Sequence, residues 1–124
     1  MEMIMNETVE SHRFPGYTEW RLPPYKWDLE DIISLRHRLD GPAVINDSGM
    51  ELWYRYGALH RIGGPAVTFK KTAGHKLLYT GESIQTWFLR GIRYSTFKKY
   101  CKAVKDEMTE EDYLIMLLTY NEEE

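Results

Sequence analysis

Cysteine is nearly absent: among 124 residues there is one, Cys101. A single thiol forms no intramolecular disulfide, so the chain suits a reducing compartment. Long apolar runs are also lacking. The longest, residues 113–118, is far short of the roughly 20 residues a bilayer-spanning helix needs. The first residues, Met1-Glu-Met-Ile-Met-Asn-Glu7, hold no basic segment leading into an apolar one, so no secretory signal is expected. A cytoplasmic protein without a membrane partner is the expectation. Positive charge is not in excess either. The net charge of −3 argues against nucleic acid as a partner, since phosphate attracts a basic surface.

The patterns that carry chemistry are missing as well. The histidines at 12, 37, 60 and 75 do not fall at zinc-ligand spacings, and one cysteine does not complete a set. No metal and no cofactor are expected. There is no Gly-x-Ser-x-Gly elbow and no glycine-rich loop ending in Gly-Lys-Ser/Thr. Cys101 falls on the apolar stripe of an expected helix, where an inert buried thiol is the ordinary outcome. Carboxylates gather at 106–112 and 122–124, at a helix start and in a tail, which suits capping or solvation better than acid–base work. An enzyme is not expected.

What the chain does contain is aromatic residues, at 14%, and an internal repeat. Its length fits one domain, residues 1–124. Arg36-His-Arg-Leu-Asp-Gly-Pro-Ala43 returns as Leu59-His-Arg-Ile-Gly-Gly-Pro-Ala66, setting His37 and His60 23 residues apart. A period in the twenties signals stacked supersecondary units. Gly41-Pro42 and Gly64-Pro65 end one strand and begin the next, Ala43 and Ala66 allow close stacking, and each histidine ties a corner. Trp53-Tyr-Arg-Tyr-Gly57 aligns with Trp87-Phe-Leu-Arg-Gly91, 34 residues on, so an insertion of about 11 residues is expected around 70–83. His12-Arg13-x-x-Gly16 reads as a decayed first copy.

Period-2 patterns and turn glycines predict strands over 32–36, 43–46, 50–56, 59–61, 66–70, 76–80, 84–90 and 92–94. After residue 94 the period changes. Ser95 is a suitable N-cap for a helix carrying Phe97, Tyr100, Cys101 and Val104 on one stripe. Thr109 starts a second helix, 110–120, apolar almost all round and therefore expected to be buried on more than one side. The fold class is α+β: an antiparallel β-meander of repeated hairpins over 12–94, followed by a helical segment over 95–120.

Gly49-x-x-x-Trp53-Tyr-x-x-Gly57-x-x-His60-Arg-x-x-Gly64-Pro-Ala resembles the MORN-like repeats, in the variant with His-Arg-x-x-Gly-Pro-Ala, over roughly residues 33–105. That variant is found in small bacteriophage and large-virus proteins. The resemblance implies hairpins laid side by side and a role in association. It leads to the expectation of a non-catalytic phage or viral protein, in host cytoplasm, that binds and inhibits or modulates a host protein such as a defence factor. Self-association through the helix at 110–120 is a further expectation. The candidate binding residues are Arg38, Arg61, Trp53, Tyr54, Arg55, Tyr56 and Trp87. Arginine beside exposed aromatics clamps a ligand, whereas the same aromatics facing inward build a core. Corner arginines forming a pocket for a small anion or nucleotide are the alternative function.

Overall fold

The computed structural model describes residues 8–30, 32–69 and 84–120. In chain order these form β1 (Glu10–Phe14), β2 (Tyr17–Arg21), β3 (Val44–Asn46), β4 (Met50–Leu52), β5 (Tyr54–Arg55), β6 (Ala58–Leu59), β7 (Val67–Phe69), β8 (Ile84–Leu89) and β9 (Ile92–Tyr94). Helices α1 (Phe97–Val104) and α2 (Glu110–Thr119) follow. Seven strands make one antiparallel meander in the order β1-β2-β3-β4-β7-β8-β9, while β5 and β6 pair as a separate ribbon. The α+β class expected from the sequence is the class observed.

Local chemistry explains the turns. Between β3 and β4, the Asn46 side chain accepts from the Ser48 backbone N–H at 3.1 Å, and Gly49 follows at φ 105°. Asparagine mimics a backbone turn in this way, and only glycine takes such a φ without strain. The expected strand 50–56 divides at Trp53. Its N–H goes to the Ala66 carbonyl at 2.7 Å, and the chain then leaves the main sheet for the β5–β6 ribbon.

Other expectations are corrected. The segment 32–36 is not a strand but a 3-10 turn over Ile33–Leu35, with Arg36 alone bridging to Arg21. The alternation there was apolar, yet Ile33 is 47% exposed, and it is Arg36 and His37 that are buried. The partners of those two side chains set the path. His12-Arg13 is no corner: it lies within β1, His12 opposite Glu19, with its ring 4.9 Å from that of Trp27. Thr96 rather than Ser95 caps α1, accepting from the Lys99 N–H at 3.1 Å. Thr109 caps α2 as expected, accepting from Asp112 N–H at 3.1 Å. The expected strand 76–80 and the insertion near 70–83 lie outside the described residues.

Two apolar clusters hold these elements. Ala43, Val44 and Tyr54 form one, under β3 and the ribbon. Trp87, Leu89, Phe97, Tyr100, Cys101, Val104 and Met116 form the other, between β8 and the two helices. In the latter, the Trp87 ring lies 4.8 Å from Phe97, 4.9 Å from Tyr100 and 5.3 Å from Tyr120. Each large side chain buried contributes about 1.5–3 kcal/mol, so this cluster is what fastens both helices to the sheet.

Candidate functional site

The two repeat corners, at 37–43 and 60–66, are built alike. At each corner a histidine accepts a hydrogen bond from a backbone N–H of the next hairpin. Tyr56 N–H donates to His37 Nδ1 at 2.9 Å, and Arg90 N–H donates to His60 Nδ1 at 2.8 Å. Both donors have positive φ, 51° and 50°, and each precedes a glycine at φ 83°. Two successive left-handed residues give the tight turn whose twist matches a hairpin. A non-glycine residue there is strained, and the imidazole satisfies its N–H. The carbonyls of Arg36 and Leu59 accept from Gly57 and Gly91, both at 2.8 Å. The histidine tie therefore runs from one unit to the next.

Arg38 and Arg61 have equally matched surroundings. The guanidinium of Arg38 lies 3.9 Å from the Trp20 ring centre, and that of Arg61 lies 3.9 Å from Trp53. Each donates through Nη1 to the proline carbonyl of its own corner, Pro42 or Pro65, at 3.1 Å. A Cβ placed on Gly41 would fall 2.8 Å from Arg38 Cζ, and one on Gly64 2.6 Å from Arg61 Cζ. The glycines of Gly-Pro-Ala thus leave room for a guanidinium stacked on an indole. Trp20 is the partner that sequence reading missed. The signal was present in Gly16-x-x-x-Trp20, which matches Gly49-x-x-x-Trp53.

The remaining candidates scatter. Tyr54 is buried, and its hydroxyl accepts from Arg36 at 3.2 Å. Arg55 sits half-buried in β5, opposite Ala58. Tyr56 is 58% exposed on its turn, with its ring 4.2 Å from His37. Trp87 is buried in the helix cluster, apart from the cluster holding Tyr54. Arg61 and Trp53 are brought together; the seven residues as a set are not.

A buried charged group lies beneath the first corner. Glu19 Oε2 accepts from Arg21 Nε at 2.9 Å and from Arg36 Nε at 3.0 Å. Arg21 Nη1 also reaches the carbonyls of Tyr25, Lys26 and Leu29, each at 2.9 Å. Burial works against the charge of Arg36, but the bond and charge of Glu19 outweigh it and hold its pKa above the ordinary value. These contacts organise the loop between β2 and the first corner. Near the second corner, burial lowers the pKa of His60, and the charges of Arg55 and Arg90 lower it further. Tyr100 of α1 pins that corner by donating to the Arg61 carbonyl and accepting from Gly63 N–H at 2.9 Å.

An exposed apolar face lies on α2, where the expectation of burial on more than one side fails within this chain. Met116 is buried, and Tyr113, Leu117 and Tyr120 pack beside it on the helix cluster. At 3.6 residues per turn, Glu111, Leu114, Ile115 and Leu118 fall on the opposite face. Leu114 is 53% exposed, Ile115 54% and Leu118 80%. The helix has two apolar faces, and the fold covers one. A groove of about 410 Å³ flanks the open face, running from Ile115 and Asp112 to Ile62 and Gly63 at the second corner. Separately, a cleft of about 980 Å³ between β8, β9 and the helices is lined by Trp87, Tyr94, Phe97 and Tyr113, with Arg93, Lys98 and Lys102 among its polar residues.

Among the described residues no group of three or more His, Cys, Asp or Glu is placed to hold a metal, and no helix is long and apolar enough to cross a membrane. Comparison with known protein families, curated proteins and solved structures finds no match to this chain.

Proposed function

We propose that this chain is a non-catalytic protein-interaction module whose contact surface is the outer face of α2. One observation carries the reading: a helix anchored by Met116 on one side presents Leu114, Ile115 and Leu118 to solvent on the other. A helix apolar on both faces is ordinarily covered on both, and contiguous exposed apolar surface marks association sites. The corner arginines support this division of labour, because their stacking on Trp20 and Trp53 gives them a role within the repeat. The repeat resemblance adds a phage or viral setting, in which the partner is a host protein, such as a defence factor, that is inhibited or modulated by being bound.

The test uses wild type and the Leu114→Ser/Leu118→Ser double variant as baits in the same cell extract. The expected result is a protein retained by wild type and lost with the variant, at unchanged melting temperature. Equal retention by both baits overturns the reading.

The aromatic and basic cleft favours a second reading, a binder of small anionic ligands such as nucleotides. Arg93, Lys98 and Lys102 supply charge there, and four rings supply stacking. A melting temperature raised by nucleotides, and no longer raised in Lys98→Ala/Lys102→Ala, supports this function instead.

A further inference from the structure

The chemistry of the outer α2 face names the kind of partner it takes. We infer that this face docks a basic amphipathic helix of another protein, an inference that rests on the interaction reading above. The apolar residues at 114, 115 and 118 occupy the i+3, i+4 and i+7 places of the pattern by which one helix packs on another, with the charged Glu111 at the first place. Charge of one sign dominates on α2 itself, with Lys105 of the preceding turn 5.7 Å from the Tyr113 ring on the inner side. From residue 106 to 120 the chain has five Asp and Glu and no Lys, Arg or His. Glu110, Glu111 and Asp112 form the first turn of α2, and all three are exposed. Their position suits the helix dipole, but no ion pair joins them to a base among the described residues. The flanking groove has Glu107 and Asp112 in its lining and no base. Glu107 is already engaged by Arg90, at 3.0 Å through Arg90 Nη1. That leaves Asp112 and the first-turn glutamates to meet an incoming cation.

Other occupants fit less well. A second copy laid on α2 sets these carboxylates against one another in the parallel orientation, and in the antiparallel one the last turn of α2 offers them no base. Helix α1 of a second copy offers Lys98, Lys99 and Lys102, but its apolar residues Phe97, Tyr100, Cys101 and Val104 are buried in its own core. An anionic membrane and a nucleic acid are both repelled by the carboxylates. A partner helix with an apolar stripe flanked by Lys or Arg satisfies both features together. The apolar contact supplies affinity, and the charges supply orientation and on-rate.

A random peptide library selected on the full chain, in parallel with the Leu114→Ser/Leu118→Ser variant, tests this. The expected outcome is enrichment of amphipathic sequences carrying Lys or Arg beside an apolar i, i+3, i+4, i+7 pattern. The best of them should bind the variant about tenfold or more weakly, as loss of buried apolar side chains implies. It should also bind more weakly to Glu110→Gln/Glu111→Gln and in high salt. Enriched peptides that depend on the apolar face but are neutral or acidic overturn the basic partner and leave the interaction surface standing. No enrichment sensitive to the face overturns both. Sedimentation of wild type as a dimer that the variant abolishes overturns the inference in favour of a second copy.

Discussion

The guanidinium of Arg61 lies 3.9 Å from the ring centre of Trp53, and Arg38 repeats the geometry on Trp20 at the same distance. Each arginine joins an indole to the proline carbonyl that closes its corner. The His-Arg-x-x-Gly-Pro-Ala string is therefore a structural unit. Histidine holds the next hairpin, arginine stacks back on the preceding strand, and glycine makes space for the stack.

If glycine is there for the guanidinium, the two positions are coupled. Gly64→Ala is expected to destabilise by about 1 kcal/mol, the scale of a cation–π stack in a partly buried site. In an Arg61→Ala background the same change should cost clearly less. A double-mutant cycle by chemical denaturation measures this. Additive effects contradict the coupling.

Gly57 and Gly91 share φ 83°, but their neighbours differ. A Cβ on Gly57 would lie 2.8 Å from Ser34 Cα, whereas one on Gly91 would lie 3.7 Å from Ala58 Cβ. Gly91→Ala should cost about 1–2 kcal/mol from backbone strain alone. Gly57→Ala should cost more, since backbone must also move. Denaturation midpoints of the two variants rank them directly.

His60 gives a pH dependence. Its pKa is lowered in the fold, so below the ordinary value of 6.5 the unfolded chain binds more protons than the folded one. Stability is then fully present above pH 6.5 and falls as the pH drops towards the folded pKa. Protonating Nδ1 would also remove the acceptor for Arg90 N–H. The melting temperature should decline on acidification from pH 7, and a His60→Gln variant should decline less over the same range.

The buried Glu19 should matter far more than the exposed Arg13–Asp47 pair. Glu19→Gln leaves Arg21 and Arg36 without their counter-charge and is expected to cost about 3–5 kcal/mol. Arg13→Ala, at a pair more than half exposed on both sides, should leave the melting temperature unchanged within error.

These results also mark what was legible in the sequence. The corners were legible because the string from His37 to Ala43 is contiguous and reappears unbroken at His60–Ala66. The first tryptophan was hidden, because Trp20 lies 17 positions before His37 where Trp53 lies 7 positions before His60. That longer loop folds around Arg21. Strand β2 was not among the expected strands, and in it Glu19 and Arg21 are the buried pair. Their burial depends on Arg36 and on loop carbonyls, partners that no local pattern shows. For α2, apolar composition led to the expectation of burial on more than one side, whereas this chain covers only the face that carries Met116.

A denaturation comparison of Met116→Ala with Leu118→Ser tests that division most directly. Met116→Ala removes a buried anchor and should cost about 2–5 kcal/mol. Leu118→Ser changes a side chain that is 80% exposed and should leave stability unchanged. A loss in Leu118→Ser comparable to that in Met116→Ala would show that the outer face serves the fold itself, and would contradict its assignment to a partner.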